Sequence, residues 1–130
     1  MRIIGIDYGE KRIGIAASDP LKMIAQAVCA AESEDEVCRV IQEYGDVEEI
    51  VVGLPKTMRG EIGPQAQKTL EFVERLKTRL NIPIITCDER LTTSQADKFL
   101  ISAGFSRAGR KKVIDKSAAA IILQSYLDAR

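Results

Sequence analysis

Apolar and polar positions alternate with two different periods along the chain, and they divide it into strands and helices. Ile3-Ile4-Gly5-Ile6 is an unbroken apolar run. It reads as a strand over Arg2–Tyr8 covered on both faces. After a short turn at Gly9-Glu10-Lys11, Ile13, Ile15 and Ala17 share one face of a second strand, Arg12–Ser18. So short a connection makes these two an antiparallel hairpin. A third strand is predicted over Met23–Ala30. Ser33-x-x-Glu36 is a capping box opening a helix with Val37, Val40, Ile41 and Tyr44 at helical spacing, closed by Gly45. A buried strand follows at Glu49–Leu54, then a loop from Pro55 to Gly63. Pro64 suits the first turn of a helix carrying Leu70, Phe72, Val73, Leu76 and Leu80. A fifth strand spans Ile82–Cys87. Thr92-x-x-Gln95 caps a helix that stops at Gly104, and after a basic loop Asp115 begins a final helix to about Asp128.

Three hairpin strands followed by helical crossovers imply an α/β fold. The expected core is a five-stranded mixed sheet with helices on both faces, whose later strands run parallel to one another and to the first. A length of 130 residues fits one domain, 1–130, with enough apolar residues for a core that needs no disulfides. Cys29, Cys38 and Cys87 are odd in number and far apart, each in an apolar stretch, which predicts reduced, buried thiols. No window approaches a membrane span and the N-terminus enters a strand at once, so the expected location is the cytoplasm, with no membrane partner.

Histidine is absent. That removes the commonest general base, the Ser-His and Cys-His nucleophile pairs and nearly all zinc sites. Chemistry must come mainly from carboxylates, whose hard oxygens favour Mg2+ or Mn2+. In sheets of this kind ligands bind beyond the carboxyl ends of the parallel strands, where Asp7 and Asp88-Glu89 stand. Two adjacent carboxylates repel unless a cation lies between them. Two divalent ions about 3.5–4 Å apart can activate water and stabilise the leaving oxygen of a phosphodiester. Each acid also has an ordinary alternative. Asp7 could bond the backbone of its turn. Glu89 could pair with Arg90 or cap the next helix, and Asp115 could be a helix N-cap. The small face Ser117-Ala118-Ala119-Ala120 would let the last helix lie close to the sheet. Positive charge is balanced overall, with 19 Lys and Arg against 19 Asp and Glu. It gathers, however, at Lys11, Arg12, Lys56, Arg59, Arg90, Arg110, Lys111 and Lys112, a footprint suited to a phosphate backbone. Aromatic residues are too few for a base-stacking platform.

Four blocks carry a resemblance. They are Gly5-Ile6-Asp7-Tyr8-Gly9 with Arg12-Ile13-Gly14-Ile15-Ala16, Val52-Gly53-Leu54-Pro55, Asp88-Glu89-Arg90-Leu91-Thr92-Thr93, and Asp115-Lys116-Ser117-Ala118-Ala119. The chain resembles, nearly end to end, the YqgF family of ribonuclease-H-like proteins, described as Holliday-junction resolvases and as pre-16S ribosomal RNA nucleases. The resemblance implies a metal-binding catalytic set of Asp7, Glu89 and Asp115. Arg59 stands where the family pattern has an acidic or amide residue, a departure that bears on substrate preference.

The expected function is metal-dependent phosphodiester hydrolysis in structured nucleic acid, namely 5′-end processing of pre-16S rRNA in ribosome biogenesis. The alternatives are resolution of branched DNA, which calls for a homodimer rather than a monomer, and a non-catalytic RNA-binding assembly factor. The Asp7-x-Gly9 hairpin also resembles the phosphate loop of actin-like ATPases, although those use two such domains.

Overall fold

The computed structural model describes residues 1–57, 59–88, 104 and 107–130, with side chains from Ala118 onward in the last stretch. The strands are β1 (Arg2–Tyr8), β2 (Ile13–Ser18), β3 (Ala25–Ala31), β4 (Val47–Leu54) and β5 (Ile84–Asp88). They form one sheet in the order β3-β2-β1-β4-β5. Hairpins make β2 antiparallel to β1 and β3, and crossovers make β4 parallel to β1 and β5, as the connection lengths require. The helices are α1 (Glu34–Tyr44), α2 (Pro64–Arg79) and α3 (Arg107–Ala129).

Alternation along the strands sends successive side chains into two layers. Behind the sheet, Ile4, Ile6, Ile13, Ile15, Ile50 and Val52 pack with Val37, Cys38 and Ile41 of α1 and with Phe72, Val73 and Leu76 of α2. In front, Ile3, Ala16 and Val51 pack with Ala119, Ile122, Leu123 and Leu127 of α3. Helices therefore cover both faces, as expected.

The helix boundaries follow local chemistry. Ser33 Oγ accepts the Glu36 amide at 3.2 Å, one half of a capping box. The Glu36 carboxylate accepts the Glu32 amide at 3.0 Å, so the return bond falls one residue earlier than the motif predicts. Gly45 closes α1 with φ +71°, a left-handed geometry that glycine adopts without steric cost.

Several expectations change, among them the strand starts, β4 beginning two residues earlier and β5 two residues later than predicted. The final helix begins at Arg107, so Asp115 lies inside α3 and the basic stretch 107–112 is helix rather than loop. Arginine, lysine and alanine are strong helix formers. Gly109 costs about 1 kcal/mol and uncompensated like charges a few tenths each, which packing of a 23-residue helix outweighs. Cys29 is exposed, whereas Cys38 is buried and Cys87 intermediate. β3 is an edge strand, and its uncharged sequence imitates an interior one. The third strand also starts two residues later than predicted, because Asp19 organises the approach to it. Its carboxylate accepts the amides of Met23 and Ile24, each at 2.8 Å. The helix expected over 92–103 lies outside the described residues. Among the described residues no helix is long and apolar enough to cross a membrane.

Candidate active site

Asp7 stands at the carboxyl end of the central strand. The parallel ladder between β1 and β4 runs to Ile6↔Val52, while the antiparallel ladder with β2 continues through Asp7↔Gly14 to Tyr8↔Ile13. Asp7 shares the parity of Ile3 and Gly5 and so belongs to the front face, toward α3.

Two glycines make that face shallow. A Cβ on Gly5 would meet Leu123 Cβ at 2.6 Å and the Ala119 carbonyl oxygen at 3.0 Å. One on Gly14 would lie 3.4 Å from Ala119 Cβ and 3.7 Å from Asp7 Cβ. The helix therefore rests almost on the strand backbone. Followed from Leu123 back to Ala119, it advances from Gly5 toward Gly14 and Asp7. Asp115 stands about one helical turn further, four residues before Ala119 in the same helix. The small-residue face predicted over 117–120 has the expected effect at Ala119. Glycine inside a strand often marks such a close backbone approach, which is the signal in the sequence at both positions.

Between the β2–β3 hairpin and α3 lies a groove of about 370 Å³, bordered by Asp7, Arg12, Gly14, Ala27, Val28, Ala30 and Ala118–Ala120. Its walls are small and apolar, and Asp7 and Arg12 supply its charge. Lys11, next in the turn, lines a smaller hollow of about 160 Å³ behind the sheet with Tyr8, Phe72 and Arg75. Adjacent residues thus place one cation on each side of the strand end. Lys56 and Arg59 occupy the loop after β4, at the same edge. That loop folds on itself, with the Thr57 amide donating to the Glu61 carbonyl at 3.0 Å and the Gly60 amide to the Thr57 carbonyl at 2.8 Å.

The structure brings together Asp7 and Arg12, with Lys11, Lys56 and Arg59 on the surrounding turns. Arg110, Lys111 and Lys112 fall in the first two turns of α3, where the backbone alone is described. Glu89 and Arg90 lie outside the described residues. The last described strand residue is Asp88, half-buried opposite Leu54. Among the described residues no set of three His, Cys, Asp or Glu side chains is placed to hold a metal ion. Asp7 itself suits one. It is a half-buried carboxylate at the mouth of a groove, a hard oxygen donor.

A family model described as "RuvX: Holliday junction resolvase" matches residues 1–129. A protein of Desulforamulus reducens named "Putative pre-16S rRNA nuclease" is 49% identical over 135 residues, covering 99% of this chain and 98% of its own length. A protein of the same name from Listeria monocytogenes is 48% identical over 136 residues, covering 98% of each. Among solved structures, Thermus thermophilus RuvC in complex with a Holliday junction substrate matches with a TM-score of 0.59 at 16% identity, over 100% of this chain and 95% of the other. Fowlpox virus resolvase with Holliday junction DNA matches at 0.51 and 16%, over 99% and 98%. Identities this low speak for the fold, a mixed sheet in the order seen here, while the family model and the relatives span nearly the whole sequence. On both grounds the chain belongs to the RuvX family and has the ribonuclease-H-like fold.

Proposed function

We propose that the protein is a divalent-metal-dependent nuclease that hydrolyses phosphodiester bonds in structured RNA, with the 5′ region of the pre-16S rRNA as its substrate. The observation that carries this reading is the placement of Asp7. It is a carboxylate at the carboxyl end of the central strand, opening onto a groove with Arg12 and ringed by the turns that hold Lys11, Lys56 and Arg59.

Asp7, Glu89 and Asp115 would hold the metal. Asp115 stands one turn before Ala119, the residue beside Gly14. In sequence Glu89 directly follows Asp88, the last residue of β5. When bound, Mg2+ or Mn2+ supplies activation of water and neutralisation of charge on the phosphate oxygens. The rest falls to the chain. Arg12 orients a phosphate at the groove mouth, and Lys56, Arg59, Arg90, Arg110, Lys111 and Lys112 hold flanking backbone by charge, without reading sequence. Glycine and alanine walls admit a sugar-phosphate backbone while offering bases no aromatic surface. We place the protein in the cytoplasm, as a single domain over 1–130.

A labelled panel of pre-rRNA 5′ leader, single-stranded RNA, duplex and four-way junction, each with Mg2+ or Mn2+, tests the reading. Metal-dependent cleavage of the leader that disappears in Asp7→Asn is expected. RNA binding without cleavage, unchanged in Asp7→Asn, would sink it in favour of a non-catalytic factor. The family model's description favours one second reading, resolution of branched DNA. That outcome requires paired cuts in the junction by a dimer.

A further inference from the structure

Asp7 borders its groove at the carboxyl end of β1. The antiparallel ladder with β2 reaches Tyr8↔Ile13, two residues beyond the Ile6↔Val52 pair of the parallel ladder with β4. Tyr8 points to the opposite face from Asp7, into the back layer. There its ring stacks on that of Phe72, with centroids 4.3 Å apart and planes at 24°. Phe72 is fully buried in α2. The Arg75 guanidinium lies over the other ring of the pair, 6.0 Å from the Phe72 centroid. Arg75 is in turn fixed by Glu34 at the start of α1, its Nε donating to Glu34 Oε1 at 2.8 Å, while Arg79 donates to Glu34 Oε2 at 3.1 Å. Immediately after Tyr8 the chain turns, the Gly9 amide donating to the Arg12 carbonyl at 3.1 Å. A Cβ on Gly9 would lie 2.6 Å from that oxygen, so the turn has no slack.

The stack reaches the strand from behind, from α2, at the residue next to the acid, and Glu34 of α1 braces Arg75 beside it. We propose that Tyr8 is a positioning residue for Asp7: held by its stack on Phe72, its ring sets the angle at which the strand end presents the Asp7 carboxylate to the groove. The proposal deepens the nuclease reading and rests on it. A tilt at Tyr8 is carried through one peptide unit to the Asp7 Cα–Cβ bond, and a displacement of about 1 Å at a reacting centre costs on the order of 10²-fold in rate.

Wild type, Tyr8→Ala and Tyr8→Phe are compared by amide hydrogen exchange, by Mn2+ titration calorimetry and by cleavage of the pre-rRNA leader, with circular dichroism reporting the fold. In Tyr8→Ala, exchange at residues 7–9 rises about tenfold while that at Ile3–Ile6 holds, Mn2+ binds about tenfold more weakly, and kcat falls at least tenfold with KM nearly constant. Tyr8→Phe, which keeps the stack, returns all three to within about twofold of wild type. If Tyr8→Ala does not fold, Tyr8→Leu carries the same expectations. Unchanged exchange or unchanged Mn2+ affinity in the variant overturns the proposal alone. So does a raised KM with kcat retained, which would make Tyr8 a substrate contact. Wild-type protein that binds no Mn2+, or binds it equally after Asp7→Asn, overturns the nuclease reading and the proposal with it.

Discussion

Behind the sheet the strands present Ile4, Ile6, Ile15, Ile50 and Val52 to two amphipathic helices that answer with Phe72, Leu76 and Ile41. In front, the same strands present Gly5, Gly14 and Ala16 to a single helix that answers with Ala119 and Leu123. The back layer is thick and filled by bulk. The front is thin because its residues are small, and Asp7 stands where that thinness leaves a groove. Bulk sets stability, whereas smallness brings helix and strand backbones together, so that carboxylates from distant parts of the chain can meet. The two faces should therefore fail in different ways.

The largest effect is expected in front. Asp7→Asn should reduce cleavage about 10³-fold, within the range for loss of a directly acting group, and leave the melting temperature nearly unchanged. Behind the sheet the effects should invert. Leu76→Ala opens a cavity beside Phe72 and should cost about 2–5 kcal/mol in chemical denaturation, with the cleavage rate per folded molecule preserved. Gly5→Ala couples the two faces. Its methyl group would meet Leu123 Cβ at 2.6 Å, so α3 must move away, at about 1–3 kcal/mol for overpacking. Activity should fall with stability here, unlike in Leu76→Ala, and equal loss in both variants would erase the distinction between faces.

Smaller effects test the rim of the back layer. Ser33→Ala removes the acceptor of the Glu36 amide and should cost about 1 kcal/mol, read as a lowered midpoint with an unchanged denaturant slope. The smallest concerns acid. Partial burial works to raise the Glu34 carboxyl, but hydrogen bonds and charge from Arg75 and Arg79 outweigh it and hold the group below its ordinary 4.5. A depressed carboxylate stabilises the fold above its unfolded pKa and loses that contribution as pH falls through its folded value. Acid unfolding of Glu34→Gln should therefore show a shallower pH dependence below about pH 4.5 than wild type, from a lower stability at neutral pH.

The strand order, the mix of parallel and antiparallel pairs and the two-sided covering were legible because apolar runs and connection lengths leave few alternatives. Asp7 was legible for the same reason, being an acid placed where a doubly buried strand ends. The start of α3 was not. Gly109 and the run Arg110-Lys111-Lys112 carry the local marks of a loop, and the tertiary packing that overrides them is invisible in sequence. Removing Asp115 from the helix start also removes its N-cap reading, the chief local alternative to a role in the site. Exposure of Cys29 was hidden because an edge strand of alanines looks like an interior one. Tyr8 was unmarked because the aromatic it stacks on lies 64 residues away, on a helix.

The closeness of α3 to β1 also has a consequence in time. Contacts such as Ala119 with Gly14 join segments on the order of a hundred residues apart, and so form late. During synthesis the hairpins, β4 and the back helices emerge while Ile3, Ala16 and Val51 are still bare, and the groove has one wall. The second wall arrives when residues 107–129 leave the ribosome and fold back over the central strand. The groove onto which Asp7 opens is in this way completed only after most of the chain has been made.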